Sequence, residues 1–156
     1  YREKCALLRK YFTDPALTTD VIVGFPGETE EEFARTEDFL REISFYETHI
    51  FKYSRRKGTR ADRMEGQIPE QEKAVRSHIL IDLGKRRKQK FMEYYLGREV
   101  EILFEEKAEI QGKTYWIGHT REYLKVAAET EENLENCLKI GKIAGFVEDG
   151  VFICAI

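Results

Sequence analysis

Thr18-Thr19-Asp20-Val21-Ile22-Val23-Gly24-Phe25-Pro26-Gly27-Glu28-Thr29 is the stretch whose reading decides the fold. Val21-Ile22-Val23 is a continuous β-branched run, the pattern of a strand covered on both faces. Phe25-Pro26-Gly27 ends it, because Pro has no N–H and Gly readily takes a positive φ. Thr29-Glu30-Glu31-Glu32 has the form of a capping box: Thr29 accepts from the Glu32 N–H, and the Glu32 carboxylate reaches back to the Thr29 N–H. Three glutamates in the first turn also suit the positive end of the helix dipole. A parallel strand ending in a glycine turn at a helix N-terminus is where α/β sheets place ligands. The turn lacks the glycine spacing of a P-loop or a dinucleotide fold, so a purely structural turn is the competing reading.

Working outward, Phe33, Thr36, Leu40 and Ile43 recur at helical steps, which predicts a helix from Glu30 to about Ile43. Residues 47–53 then read as a second strand, and strand, helix and strand together make a parallel βαβ unit. Upstream, residues 1–12 read as a helix with Leu7, Leu8, Tyr11 and Phe12 on its apolar face. Downstream, residues 54–67 form a loop dense in charge, and its part Arg55–Arg63 sets Arg55, Arg56, Lys57, Arg60 and Arg63 against one acid, Asp62. Either it is a solvated loop or it contacts a polyanion. A helix follows from about Pro69 to Tyr95, with Val75, Ile79, Leu83 and Phe91 marking its face and Gly97 as its stop.

After Gly97 the period changes to two. Val100, Ile102 and Phe104 alternate with charges, and short apolar runs recur at 115–117, 123–126, 138–140 and 151–153. Asp149-Gly150 is a hairpin signal. Four or five antiparallel strands in so short a segment predict a small closed barrel of the OB type, since closure removes exposed edges. The expected organisation is therefore α/β plus β, in three parts: 1–67, a connecting helix over 68–95, and the barrel over 96–156.

The chain has 156 residues, 42% hydrophobic and 35% charged, with a net charge of −3. No apolar run is long enough for a membrane span. Tyr1 in place of Met leads us to expect a piece of a longer protein. Cys5, Cys137 and Cys154 lie far apart and make no metal or cluster spacing, so reduced, mostly buried thiols in a cytoplasmic protein are expected. His49, His78 and His119 make no ligand set either, and His49 shows no carboxylate partner in register. No residue of the chain is a candidate for catalysis.

From Tyr95 onward the chain carries 7 basic and 12 acidic residues, a net −5. An RNA-binding barrel of that charge must act through a local patch. Trp116, His119, Arg121, Tyr123 and Lys125 lie close together around a turn and combine stacking with phosphate contact, with core burial of the two larger aromatics as the alternative.

Taken together, the chain resembles the C-terminal part of a radical-SAM methylthiotransferase. The residues that carry the resemblance are Asp20-Val21-Ile22-Val23-Gly24-Phe25-Pro26-Gly27-Glu28-Thr29 and, at the right distance, Tyr53-Ser54-Arg55-Arg56-Lys57-Gly58-Thr59. Ile117-Gly118-His119-Thr120 and Tyr123-Leu124-Lys125-Val126 are similar to the TRAM domain that closes such enzymes. The resemblance implies the last part of a partial (β/α) barrel followed by an OB-like antiparallel TRAM barrel. It implies S-adenosylmethionine and [4Fe-4S] clusters in the full-length protein, which inserts a methylthio group through a 5′-deoxyadenosyl radical. Ile22, Val23, Gly24, Phe25, Phe51 and Tyr53 would border the cofactor, and Arg55 and Arg56 would face the substrate. The TRAM-like barrel would hold the anticodon stem-loop of a tRNA.

His49-Ile50-Phe51 with Tyr53-Ser54-x-Arg56-x-Gly58-Thr59 is most similar to the threonylcarbamoyladenosine tRNA subgroup. Isopentenyladenosine tRNA and ribosomal-protein enzymes are the alternatives within the family. Because the cluster motif C-x-x-x-C-x-x-C is not in these residues, the chain by itself is expected to bind no cofactor and to be inactive. Its sheet is expected to need the preceding part of the same chain, or else to self-associate. A non-catalytic OB-like module binding RNA or protein is the competing class.

Overall fold

The computed structural model describes residues 1–156. It divides into two compact units, Tyr1–Gln89 and Lys90–Ile156. The elements are α1 (Arg2–Tyr11), β1 (Thr18–Val23), α2 (Glu30–Ile43), β2 (Glu47–Lys52), a single 3-10 turn at Ala61–Arg63, and α3 (Glu70–Tyr95), within which the division falls. Five strands follow: β3 (Glu99–Ile110), β4 (Lys113–Thr120), β5 (Lys125–Ala128), β6 (Cys137–Glu148) and β7 (Val151–Ala155). The chain is thus α/β followed by β.

In the first unit β1 and β2 pair in parallel, with Asp20 opposite His49 and Ile22 opposite Phe51. Val23 is fully buried and packs with Phe33, Leu40, Ile43, Phe45, Leu80 and Leu83, joined by the half-buried Val21 and Ile50. The predicted capping box is present: the Glu32 N–H donates to the Thr29 hydroxyl at 3.2 Å, and the Thr29 N–H donates to Glu32 at 3.0 Å. Ser44, at φ 54°, ends α2 in the left-handed conformation.

Three expectations are corrected in this unit. β1 is covered on one face only. Residues alternate along the strand, so Ile22 is 56% exposed beside the buried Val23. The residues expected to make the apolar face of α1 are all exposed, and Cys5 is the residue it buries. On α3, Val75 and Ile79 are exposed while Arg76 and Leu80 are buried. Leu83 is buried as its pattern expects, while nearer the start of the helix Arg76 is turned inward and pairs with three carboxylates.

In the second unit the five strands close into a barrel in the order β3-β4-β5-β7-β6. All pairs are antiparallel except β5 with β7. The all-antiparallel expectation fails for a topological reason: strand directions cannot alternate around a ring with an odd number of members. Ile102, Phe104, Leu124, Leu134, Val126 and Phe152 are fully buried within this unit. Gly118 is required here, since a Cβ on it would stand 2.3 Å from the Leu103 carbonyl oxygen.

Candidate ligand and nucleic-acid sites

The strand-end site is built by the Gly24–Glu28 turn. Gly24 has φ +71° and donates its N–H to the Glu28 carboxylate at 2.7 Å. A Cβ on Gly24 would lie 2.2 Å from Lys73 Cγ, so the lysine stem fills the space a side chain would take. Lys73 Nζ donates to the Tyr53 carbonyl at 3.1 Å and sits 5.7 Å from the centre of the Tyr53 ring. The Tyr53 N–H in turn donates to the Val23 carbonyl at 2.8 Å, extending the sheet beyond β2. Phe25 meets Tyr53 edge to face at 5.2 Å.

Of the six residues expected at a cofactor, Ile22 and Phe51 face each other across the strands on the open side of the sheet. Gly24, Phe25 and Tyr53 form its end. Val23 points the opposite way, into the core, so only its backbone reaches the site. The Tyr53 hydroxyl is buried and has no hydrogen-bond partner. An open apolar pair beside a glycine turn and an unsatisfied phenol fits the adenosine half of S-adenosylmethionine. The three thiols do not fit an iron–sulfur cluster: Cys5 is buried within the first unit, and Cys137 and Cys154 lie on separate strands of the barrel.

The same open face carries a pair that sequence reasoning missed. His49 Nδ1 is 3.0 Å from the Asp20 carboxylate, its cross-strand neighbour. A carboxylate partner is therefore in register after all. Aligning the two strands on Val23 and Lys52 would have revealed it.

In the charged loop, Arg55 is folded back. Its Nε donates to the Asp62 carboxylate at 2.7 Å, and Gly58 donates its N–H to the same group at 3.0 Å. The Arg55 guanidinium and the Gly58 N–H hold the Asp62 carboxyl below its ordinary range. Arg56 is exposed and has no ionic partner.

On the barrel, the register sets Leu138, Leu103, His119 and Lys125 side by side across four strands. His119 stacks on Tyr123 at 4.9 Å with an interplanar angle of 18°. Tyr123 is not a strand residue as expected. It sits in a turn at φ 63°, which leaves it 72% exposed. His119 Nδ1 contacts Glu105 at 2.6 Å, and Arg121 is paired with Glu101 at 2.9 Å. Glu101, Leu103, Glu105, His119, Arg121, Tyr123 and Leu138 line a groove of about 370 Å³, and Lys125 stands beside it as the cross-strand neighbour of His119. Four of the five barrel residues singled out from the sequence are thus brought together. Trp116 is not: it is 6% exposed and lines a different cavity.

No protein-family model matches the chain. Among curated proteins, it is 40% identical over 144 residues to a threonylcarbamoyladenosine tRNA methylthiotransferase of Bacillus subtilis, covering 92% of this chain and 31% of that protein. It is 38% identical over 143 residues to a tRNA-2-methylthio-N(6)-dimethylallyladenosine synthase of Acetivibrio thermocellus, covering 92% of this chain and 28% of that one. This chain belongs with the tRNA methylthiotransferases over the length it spans. That length is about a third of the curated relatives it matches. Methylthiotransferases named for two different modified adenosines stand at almost the same identity, so overall similarity does not separate the two subgroups.

Proposed function

We propose that this chain is the C-terminal part of a radical-SAM tRNA methylthiotransferase acting on a modified adenosine next to the anticodon, with N6-threonylcarbamoyladenosine favoured. Residues 1–67 form the end of a partial (β/α) barrel, residues 68–95 the connecting helix, and residues 96–156 an OB-like TRAM barrel that binds the tRNA. The observation that carries the reading is the open Ile22–Phe51 face, which ends at the Gly24 turn and at the unsatisfied Tyr53 hydroxyl. There Ile22 and Phe51 pack an adenine ring, Tyr53 donates to a polar atom of the same ligand, and Arg56 takes a substrate phosphate. S-adenosylmethionine, when bound, supplies the radical and the methyl group. The clusters that activate it are held by residues outside this chain. The protein acts in the cytoplasm, and no helix here is long and apolar enough to cross a membrane.

The test is complementation. The complete reading frame containing these residues is expressed in cells lacking tRNA methylthiotransferases, and tRNA nucleosides are analysed by mass spectrometry. The methylthio form of threonylcarbamoyladenosine is expected, and Phe51→Ala should reduce it. A methylthio form of isopentenyladenosine alone would move the protein to the other subgroup. No methylthio nucleoside at all would defeat the assignment. The isolated 156 residues are expected to cleave no S-adenosylmethionine after iron and sulfide reconstitution.

A further inference from the structure

The cavity that holds Trp116 is absorbed by neither proposed site. It measures about 620 Å³ and opens between β3, β4 and the segment after β5, with Lys107, Lys113, Thr114, Trp116, Glu129 and Glu131 in its wall. Lys107 is the cross-strand neighbour of Trp116 and holds its ammonium 5.0 Å from the centre of the indole. It has no carboxylate partner. Lys113 has only Glu129, at 3.8 Å, beyond hydrogen-bond distance. Two ammonium groups thus converge on one cavity without a tight anion. Beneath them, the Trp116 indole N–H is shut off from solvent and has no acceptor. A buried donor without a partner is unusual.

We propose that this cavity is a nucleotide subsite, separate from the His119–Tyr123 groove. Lys107 and Lys113 take the phosphate, Trp116 forms the floor, and Glu129 or Glu131 accepts from an exocyclic amine of the base, as carboxylates do from cytosine. This rests on the reading of the barrel as an RNA-binding module, and it deepens that reading: one strand of RNA engages two separate places on the barrel surface. It also explains how a barrel of net −5 charge holds RNA. Phosphate contact in this cavity uses two cations that carboxylates do not neutralise tightly.

Trp116 is the only tryptophan in the chain, so its fluorescence reports on this cavity alone. The 156-residue chain is titrated at low salt with a fluorescein-labelled oligocytidylate, with anisotropy reporting total RNA binding. Parallel titrations with unlabelled oligocytidylate, 5′-CMP and inorganic phosphate follow Trp116 emission. The emission should change saturably with the oligonucleotide and with 5′-CMP. Lys107→Met, which keeps the stem over the indole, and Lys113→Ala should each weaken binding about fivefold and lower the salt slope by about 1. Arg121→Ala should weaken the anisotropy signal but leave the emission change at saturation intact. RNA binding with unchanged Trp116 emission and wild-type affinity in Lys107→Met would overturn the subsite while leaving the barrel an RNA binder. Absence of RNA binding in the anisotropy measurement would remove both. An equal response to inorganic phosphate would reduce the cavity to an anion site and overturn the nucleotide assignment.

Discussion

Arg76 on α3 donates to both the carboxylate and the main-chain carbonyl of Glu28, at 2.6 and 3.1 Å. The Glu28 carboxylate also receives the Gly24 N–H, so a single side chain locks the turn that ends β1 to the helix behind it. Glu30, at 2.8 Å, and Glu72 complete the set around the guanidinium. Burial works against the Arg76 charge, but these carboxylates more than offset it and raise its pKa. Glu28 of the Phe-Pro-Gly-Glu-Thr run is thus a structural tie.

Arg76→Ala should cost about 3 kcal/mol, because it leaves the largely buried Glu28 carboxylate without its cation. The midpoint of urea unfolding measures this. Glu28→Gln should cost less, since the amide oxygen still accepts from Gly24. Equal losses in the two variants would mean that the turn depends on the charge alone.

Gly24→Ala should destabilise the first unit by about 2 kcal/mol, from left-handed backbone strain and the contact with Lys73. Lys73→Ala in the same chain should recover only part of this. It removes the contact and leaves φ +71° to be adopted by an L-residue. Thermal unfolding of the single and double variants separates the two terms. Full recovery would assign the whole effect to crowding.

The Arg55–Asp62–Gly58 arrangement should be sensitive to acid. The carboxyl of Asp62 is held below its ordinary value of 3.8, first by Arg55 and then by the Gly58 N–H. A depressed carboxyl favours the folded loop above pH 3.8 and loses that effect as the pH falls through its lower folded value. The Gly58 amide resonance should therefore stay constant from pH 7 to about 4 and move only below that. Movement centred above pH 4 would show that the loop does not hold the carboxylate.

Cysteine labelling should single out Cys137. Burial pushes the Cys154 thiol up to about 11, and Cys5 lies in the core of the first unit. At pH 8 a thiol reagent should modify Cys137 quickly and the other two only on unfolding. Rapid modification of Cys154 in the native chain would contradict the closed barrel wall at β7.

Local rules were enough for much of this fold. The capping box at Thr29, the stop at Gly24–Gly27 and the change of period after Gly97 are each specified by residues within a few positions of one another, so they are legible in the chain itself. The same holds for the cluster of His119, Arg121, Tyr123 and Lys125, which one turn and one strand pair assemble. Relations between distant segments were not legible. Arg76 reads as a polar residue beside an apolar helix face until the Glu28 carboxylate is set against it. His49 gains Asp20 only once the parallel register is known. Trp116 leaves the patch because β4 turns it to a different cavity from the one His119 borders. The parallel β5–β7 pair follows from closing five strands into a ring, a condition on the whole sheet that no single strand encodes. Hydrogen-bond period and capping act over a few residues, so sequence determined them. Side-chain partnership and barrel closure are set by segments far apart in the chain, and only the tertiary structure decided those.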